Sequence, residues 1–167
     1  MQKKTILFLI AAMVMTVMAL PTASMAGGTL TLLSMDEAKE LNMGDEEWSA
    51  ATAPKAFPFG IGPKIIFETP KVAETEKGMV IVSPSQMSLL VVFKNGISPV
   101  DMSTLNIKAS KGWFSKNLTK RLAPYLEGTA LKAENVKIPS GRFKLEIKIS
   151  DTDGNESMQE YLCEIRD

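Results

Sequence analysis

Histidine is absent from the 167 residues, and cysteine occurs once. Without an imidazole the chain lacks the commonest general base and the commonest metal ligand. With one cysteine it closes no internal disulfide. An excess of one charge is missing too: 19 Lys and Arg balance 19 Asp and Glu, which leaves no electrostatic footprint for nucleic acid. The serines have no base beside them, no Gly-x-Ser-x-Gly motif occurs, and Lys111-Gly112-Trp113-Phe114 lacks P-loop spacing. Glu46/Glu47 and Asp151/Asp153 are paired carboxylates in polar segments. They lack the apolar surroundings that raise one pKa for general-acid work. Neither an enzyme nor a cofactor is expected.

What is there begins with a leader. Lys3 and Lys4 form a short basic region, and Ile6 to Leu20 then runs fifteen residues without a charge. Ser24 and Ala26 supply small residues at −3 and −1 of a cleavage site, the pattern of a secretory signal peptide cut between Ala26 and Gly27. Fifteen residues reach about 22 Å as a helix, short of a hydrocarbon core of roughly 30 Å. No cysteine follows to take a lipid, and no second apolar run follows to span a membrane. The expected location is the periplasm or the medium. The remaining 141 residues carry 17 basic and 19 acidic side chains, net −2, enough chain for one domain and a short extra element.

Removing the leader also removes Met1, Met13, Met15, Met18 and Met25. Met35, Met43, Met79, Met87, Met102 and Met158 are scattered and have no histidine to join them at copper, so core filling is the better reading. Cys163 alternates with Tyr161 and Ile165 on one face of the last apolar segment, which favours a buried thiol over a redox role.

Residues 27–60 read as an arm. Ser34 and Glu37 have capping-box spacing, Ala38 and Leu41 share a helical face, Gly44 supplies a stop, and Asp45 can cap a second short turn carrying Trp48. A helix this short needs something to pack on. Leu41 and Trp48 are candidates either for docking on the domain or for binding a partner. Ala53 to Pro63 is a proline-rich linker by composition.

Residues 61–167 read as strands broken by turns: Lys64–Thr69, Met79–Val82, Met87–Lys94, Thr104–Ala109, part of Gly128–Ile138, Arg142–Ser150 and Glu156–Ile165. Arg142–Ser150 alternates most cleanly, with Phe143, Leu145, Ile147 and Ile149 on one face. About seven short strands with turns every eight to twelve residues predict an all-β, antiparallel sandwich.

Gly62-Pro63-Lys64-Ile65, Val82-Ser83-Pro84, Val92-Phe93, Val100-Asp101-Met102-Ser103-Thr104-Leu105, the crossing segment Asn117-Leu118-Thr119-Lys120-Arg121-Leu122-Ala123-Pro124-Tyr125, Ile138-Pro139-Ser140-Gly141-Arg142-Phe143 and Asp151-Thr152-Asp153-Gly154-Asn155 occur in that order. Together they resemble bacterial immunoglobulin-like domains of exported proteins, over about residues 62–167. The resemblance implies an Ig-like β-sandwich, an extracytoplasmic location and an adhesive or spacer role, with no catalytic residues. The antibody-type Cys–Trp–Cys pattern is absent.

Two further features bear on binding. Asp151, Asp153 and Asn155 are calcium candidates by their alternate oxygens. The twelfth loop position is Leu162 rather than Glu, so a hairpin turn is the expected use. Trp113, Phe114 and Tyr125 either plug the end of the sandwich, the default for aromatics, or are exposed to anchor a protein or stack on sugar. The expectation is a non-catalytic envelope module binding an envelope or secreted protein, with a glycan or a calcium-binding accessory role as alternatives.

Overall fold

In the computed structural model, which describes residues 28–53 and 60–167, the alternating segment around Phe143 is the middle of the larger of two sheets. The leader and residues 54–59 of the linker lie outside the described residues.

In chain order the elements are β1 (Leu30–Thr31), α1 (Met35–Leu41), α2 (Asp45–Ala50), β2 (Lys64–Thr69), β3 (Val72–Thr75), β4 (Gly78–Pro84), β5 (Gln86–Lys94), β6 (Val100–Lys111) and β7 (Phe114–Asn117). Then come α3 (Thr119–Leu122), a 3-10 turn (Ala123–Tyr125), β8 (Leu126–Glu127), β9 (Ala130–Lys137), β10 (Gly141–Asp151) and β11 (Glu156–Arg166). The six-stranded sheet runs β3-β4-β11-β10-β6-β7, and the five-stranded sheet runs β1-β9-β5-β2 with β8 also on β9.

β10 and β11 form an antiparallel ladder from Gly141↔Ile165 to Ser150↔Glu156, joined by the turn at Asp151–Asn155. Alternation decides which side faces the other sheet. Phe143, Ile147 and Ile149 of β10 and Tyr161, Cys163 and Ile165 of β11 are buried. They meet Ile65, Val91, Phe93, Leu131 and Val136 in one core cluster with the other sheet. The interior leaves an apolar cavity of about 50 Å³, far below the roughly 300–1,000 Å³ of small-molecule pockets. It is a filled core rather than a ligand chamber.

The predicted all-β sandwich is present, but two expectations about it are corrected. The described residues contain eleven strands rather than about seven, and the sheets are mixed rather than antiparallel: β1 runs parallel to β9, and β4 parallel to β11. The added strands β1, β3, β7 and β8 are two to four residues long, too short to show a period-2 pattern. The crossing segment contains α3, which sets Leu118 and Leu122 into the core.

The N-terminal segment is built into the sandwich. β1 extends β9 through Leu30↔Val136, and Leu32, Leu33 and Leu41 join the core cluster. α1 carries the predicted capping box: the Glu37 N–H donates to Ser34 Oγ and the Ser34 N–H to Glu37 Oε2. The second turn starts one residue earlier than expected. Gly44, not Asp45, is its N-cap, because Glu47 Oε2 accepts the Gly44 N–H while Asp45 turns to Arg142.

Candidate interaction surface

The segment from Asn42 to Ala53 crosses the outer face of the six-stranded sheet. The Met43 N–H donates to the Arg142 carbonyl (2.8 Å), and the Arg142 N–H donates to Asn42 Oδ1 (2.9 Å). The Arg142 guanidinium bonds Asp45 and Glu164 and lies 5.5 Å from the centre of the Trp48 ring. Lys77 Nζ lies 5.7 Å from the same ring and donates to the Trp48 carbonyl. A half-buried indole between two cations gains from both.

At the far end the Ala53 N–H donates to the Lys77 carbonyl, over Gly78. Gly78 has φ +99°, and a Cβ there would lie 1.6 Å from the Ala53 carbonyl oxygen, so only glycine fits beneath this crossing. Leu162 lies opposite Lys144 and Val80, on the outer side by register, yet it is fully buried. α2 itself is held at both ends, by Asp45 on Arg142 and by the Trp48 carbonyl on Lys77. Trp48 is therefore docked, and Leu41, a core residue, offers no surface to a partner.

Trp113 and Phe114 behave differently. Gly112 and Trp113 are the two-residue turn between β6 and β7, where Lys111 pairs with Phe114. Gly112 takes φ +54°, as the first central position of a primed hairpin turn requires. That geometry puts the indole at the tip, 86% exposed, stacked on the exposed Phe114 ring with centroids 3.9 Å apart. The expectation that these aromatics plug the end of the sandwich is thereby overturned for both. An indole at a hairpin tip has no second sheet above it. Tyr125 is half-buried against the core, in the 3-10 turn beside β9 of the other sheet, and does not join them.

Below the tip lies a groove of about 390 Å³ lined by Lys108, Ser110, Ser115, Lys144, Glu146 and Glu160. Lys108 approaches Glu146 at 3.6 Å and Lys144 approaches Glu160 at 4.0 Å, so the floor is polar and balanced in charge. These residues were visible singly, as the polar positions of alternating strands. Their meeting depends on the Glu146↔Lys108 and Glu146↔Glu160 registers, which no local pattern shows. β7 beside them is an end strand, paired with β6 alone among the described strands. α1 packs beside β7, with Glu40 3.2 Å from Lys116, and the hairpin, aromatic at its tip, can hold a protein surface by side-chain anchoring.

At the opposite turn, the Asp151 side chain is buried and accepts the N–H groups of Asp153 and Asn155 and the Asn155 side-chain amide, at 2.8–3.0 Å. Burial pushes its pKa up, but hydrogen bonds from Asn155, Asp153 and Ser98 outweigh it and hold the carboxyl below its ordinary range. Ser98 Oγ donates to Asp153. Both Asp151 oxygens are thus turned to N–H donors, the arrangement of a turn. Among the described residues no cluster of three or more Asp, Glu, Cys or His could hold a metal. Cys163 is buried among apolar side chains, and that burial pushes its thiol up to about 12. A thiol so placed is inert toward exchange. No described helix is long and apolar enough to cross a membrane.

Compared with known proteins, the chain matches no protein-family model and no curated protein. Among solved structures, that of murine CRIg aligns with a TM-score of 0.33 and 11% identity, over 62% of this chain and 97% of that one. A likeness at that level carries no argument about function.

Proposed function

We propose that the chain is a non-catalytic, exported interaction module of the bacterial cell envelope. In this reading it is an immunoglobulin-like sandwich that binds a protein partner through the β6–β7 hairpin. The observation that carries the reading is the exposure of Trp113 and Phe114 together at the tip of the hairpin. A large aromatic held in water has lost the burial that would stabilise it, and such residues are typical binding anchors. Export rests on the residue 1–26 pattern, and the bacterial Ig-like family on the ordered motifs between Gly62 and Asn155.

The test is crosslinking and capture in the bacterial envelope, comparing the wild-type chain with Trp113→Ala/Phe114→Ser. Recovery of one specific envelope protein by the wild type, lost at least about tenfold in the variant, supports the reading. Both side chains are outside the core, so the two proteins should melt within about 2 °C of one another. A partner retained by the variant, or none with either, removes the hairpin as the binding site. A glycan is the second reading, favoured by the open face of the indole above a groove of paired lysines and glutamates. It predicts a saturable change in Trp113 fluorescence with polysaccharide, also absent from the variant.

A further inference from the structure

Three of the five other exposed large apolar side chains, Ile61, Ile97 and Met158, gather at a different edge. β2 ends the five-stranded sheet and pairs with β5 alone among the described strands. Beside it runs an open groove of about 540 Å³, between Lys64–Ile66 and Glu156–Gln159 of β11. β4 meets β11 from Leu162 onward, so the first half of β11 presents a second unpaired edge to the same groove. Ile61, Ile97 and Met158 are 55%, 76% and 51% exposed around it, and the Ile97 N–H donates to the Ile61 carbonyl. An open strand edge with apolar surroundings is a template for another strand.

The sequence of β2 says which strand fits. Read antiparallel to itself about Ile66, Lys64-Ile65-Ile66-Phe67-Glu68 matches Lys64 with Glu68, Ile65 with Phe67, and Ile66 with itself. Lys64 and Glu68 are exposed, and Ile66 is half-buried between them; Ile65 is buried and Phe67 packs on the core. A two-fold through Ile66 would therefore place two opposite-charge pairs and an Ile–Ile pair on the outer face, and continue the apolar inner face without a break. Directly opposed pairs of this kind stabilise antiparallel strands. Glu68 now meets Lys71 at 3.9 Å with both side chains in solvent, a weak contact that leaves it free to exchange. The shift in register between Phe67 and Thr69 leaves Glu68 without a partner on β5, so the regular edge ends at Phe67 and Glu68 is the last residue the pairing can reach. β7 lacks this symmetry: paired with itself, Phe114 meets Asn117 and Ser115 meets Lys116.

We infer that β2 is the contact between two copies of this chain, joined antiparallel edge to edge about Ile66 in a symmetric dimer.

The test is sedimentation velocity of the processed chain, residues 27–167, over a wide concentration range. The wild type should show a concentration-dependent dimer. Lys64→Glu and Glu68→Lys each set like charges opposite one another at two places, and each should weaken association about tenfold or more. The double variant Lys64→Glu/Glu68→Lys recreates both pairs with the signs exchanged and should recover to within about threefold of wild type. All three alter exposed side chains, and unchanged melting temperatures would show that folding is intact. In a Cys163→Ala background, Ile66→Cys should form an intermolecular disulfide under mild oxidation, and Lys116→Cys on β7 should not. A monomer at every concentration overturns the inference. So does a dimer that ignores both single reversals, or one that crosslinks through position 116 and not 66. Trp113→Ala/Phe114→Ser should leave this dimer unchanged, which separates its failure from that of the hairpin reading.

Discussion

Glu37 does two jobs that the sequence separates by 84 positions. It closes the capping box of α1 and binds Arg121 through both oxygens, at 2.7 and 2.8 Å. Arg121 also donates to the Leu32 carbonyl, so one carboxylate ties the helix start to α3 and to the chain leaving β1. The Arg121 hydrogen bonds, then the Ser34 N–H, bring the Glu37 pKa from its ordinary 4.5 down to about 2. A carboxyl whose pKa is lower in the folded state stabilises the fold above its unfolded pKa, and loses that contribution as pH falls through the folded one. Glu37→Gln keeps an acceptor for the cap and removes the charge. It should melt a few degrees lower than wild type at pH 7, with the gap closing between about pH 4.5 and pH 2. Thermal melts of the two proteins across that range check it, and a gap independent of pH would assign the loss to geometry rather than charge. Ser34-x-x-Glu37 was legible because a cap is local. The Arg121 partner was not, because nothing near Glu37 in the chain encodes it.

Among the elements, the β10–β11 hairpin was the most legible, since its alternation and its Asp-x-Asp-Gly-Asn turn both act within a few residues. β3 and β7 were hidden for the opposite reason. Val72-Ala73-Glu74-Thr75 and Phe114-Ser115-Lys116-Asn117 are short end strands with little burial, so only their neighbours define them. Trp113 is exposed for a related reason, because burial follows from which element lies above a turn. The hairpin turn at Asp151 gives a sharp expectation. Asp151→Asn keeps one oxygen but sets an amide donor against the Asn155 amide that now donates to the carboxylate. It should cost about 1–3 kcal/mol in urea unfolding, whereas millimolar calcium should leave the wild-type melting temperature within about 1 °C. A calcium-induced rise of several degrees would instead make the turn a metal loop.

For the molecule as a whole, the segment preceding the linker is part of the core. Leu32 and Leu33 follow β1 directly and Leu41 ends α1, and all three sit in the cluster between the sheets. The helical spacing of Ala38 and Leu41 was plain in the sequence. The destination of the three leucines was not, because the parallel pairing of Leu30 with Val136 spans over a hundred residues and has no local signal. Losing one such leucine costs about 2–5 kcal/mol, against a total stability of typically 5–15 kcal/mol for a domain. Leu41→Ala should therefore lower the urea midpoint sharply without changing the slope. Deleting residues 28–53 removes all three leucines, β1, α1 and α2. The shortened chain should lose its cooperative transition and its near-ultraviolet circular dichroism. If it unfolds cooperatively at a midpoint near that of the intact protein, the sandwich is self-sufficient and the leucines merely rest on it. If it does not, the five-stranded sheet needs β1 and α1 for its completion, and the N-terminal segment must dock before the fold is stable.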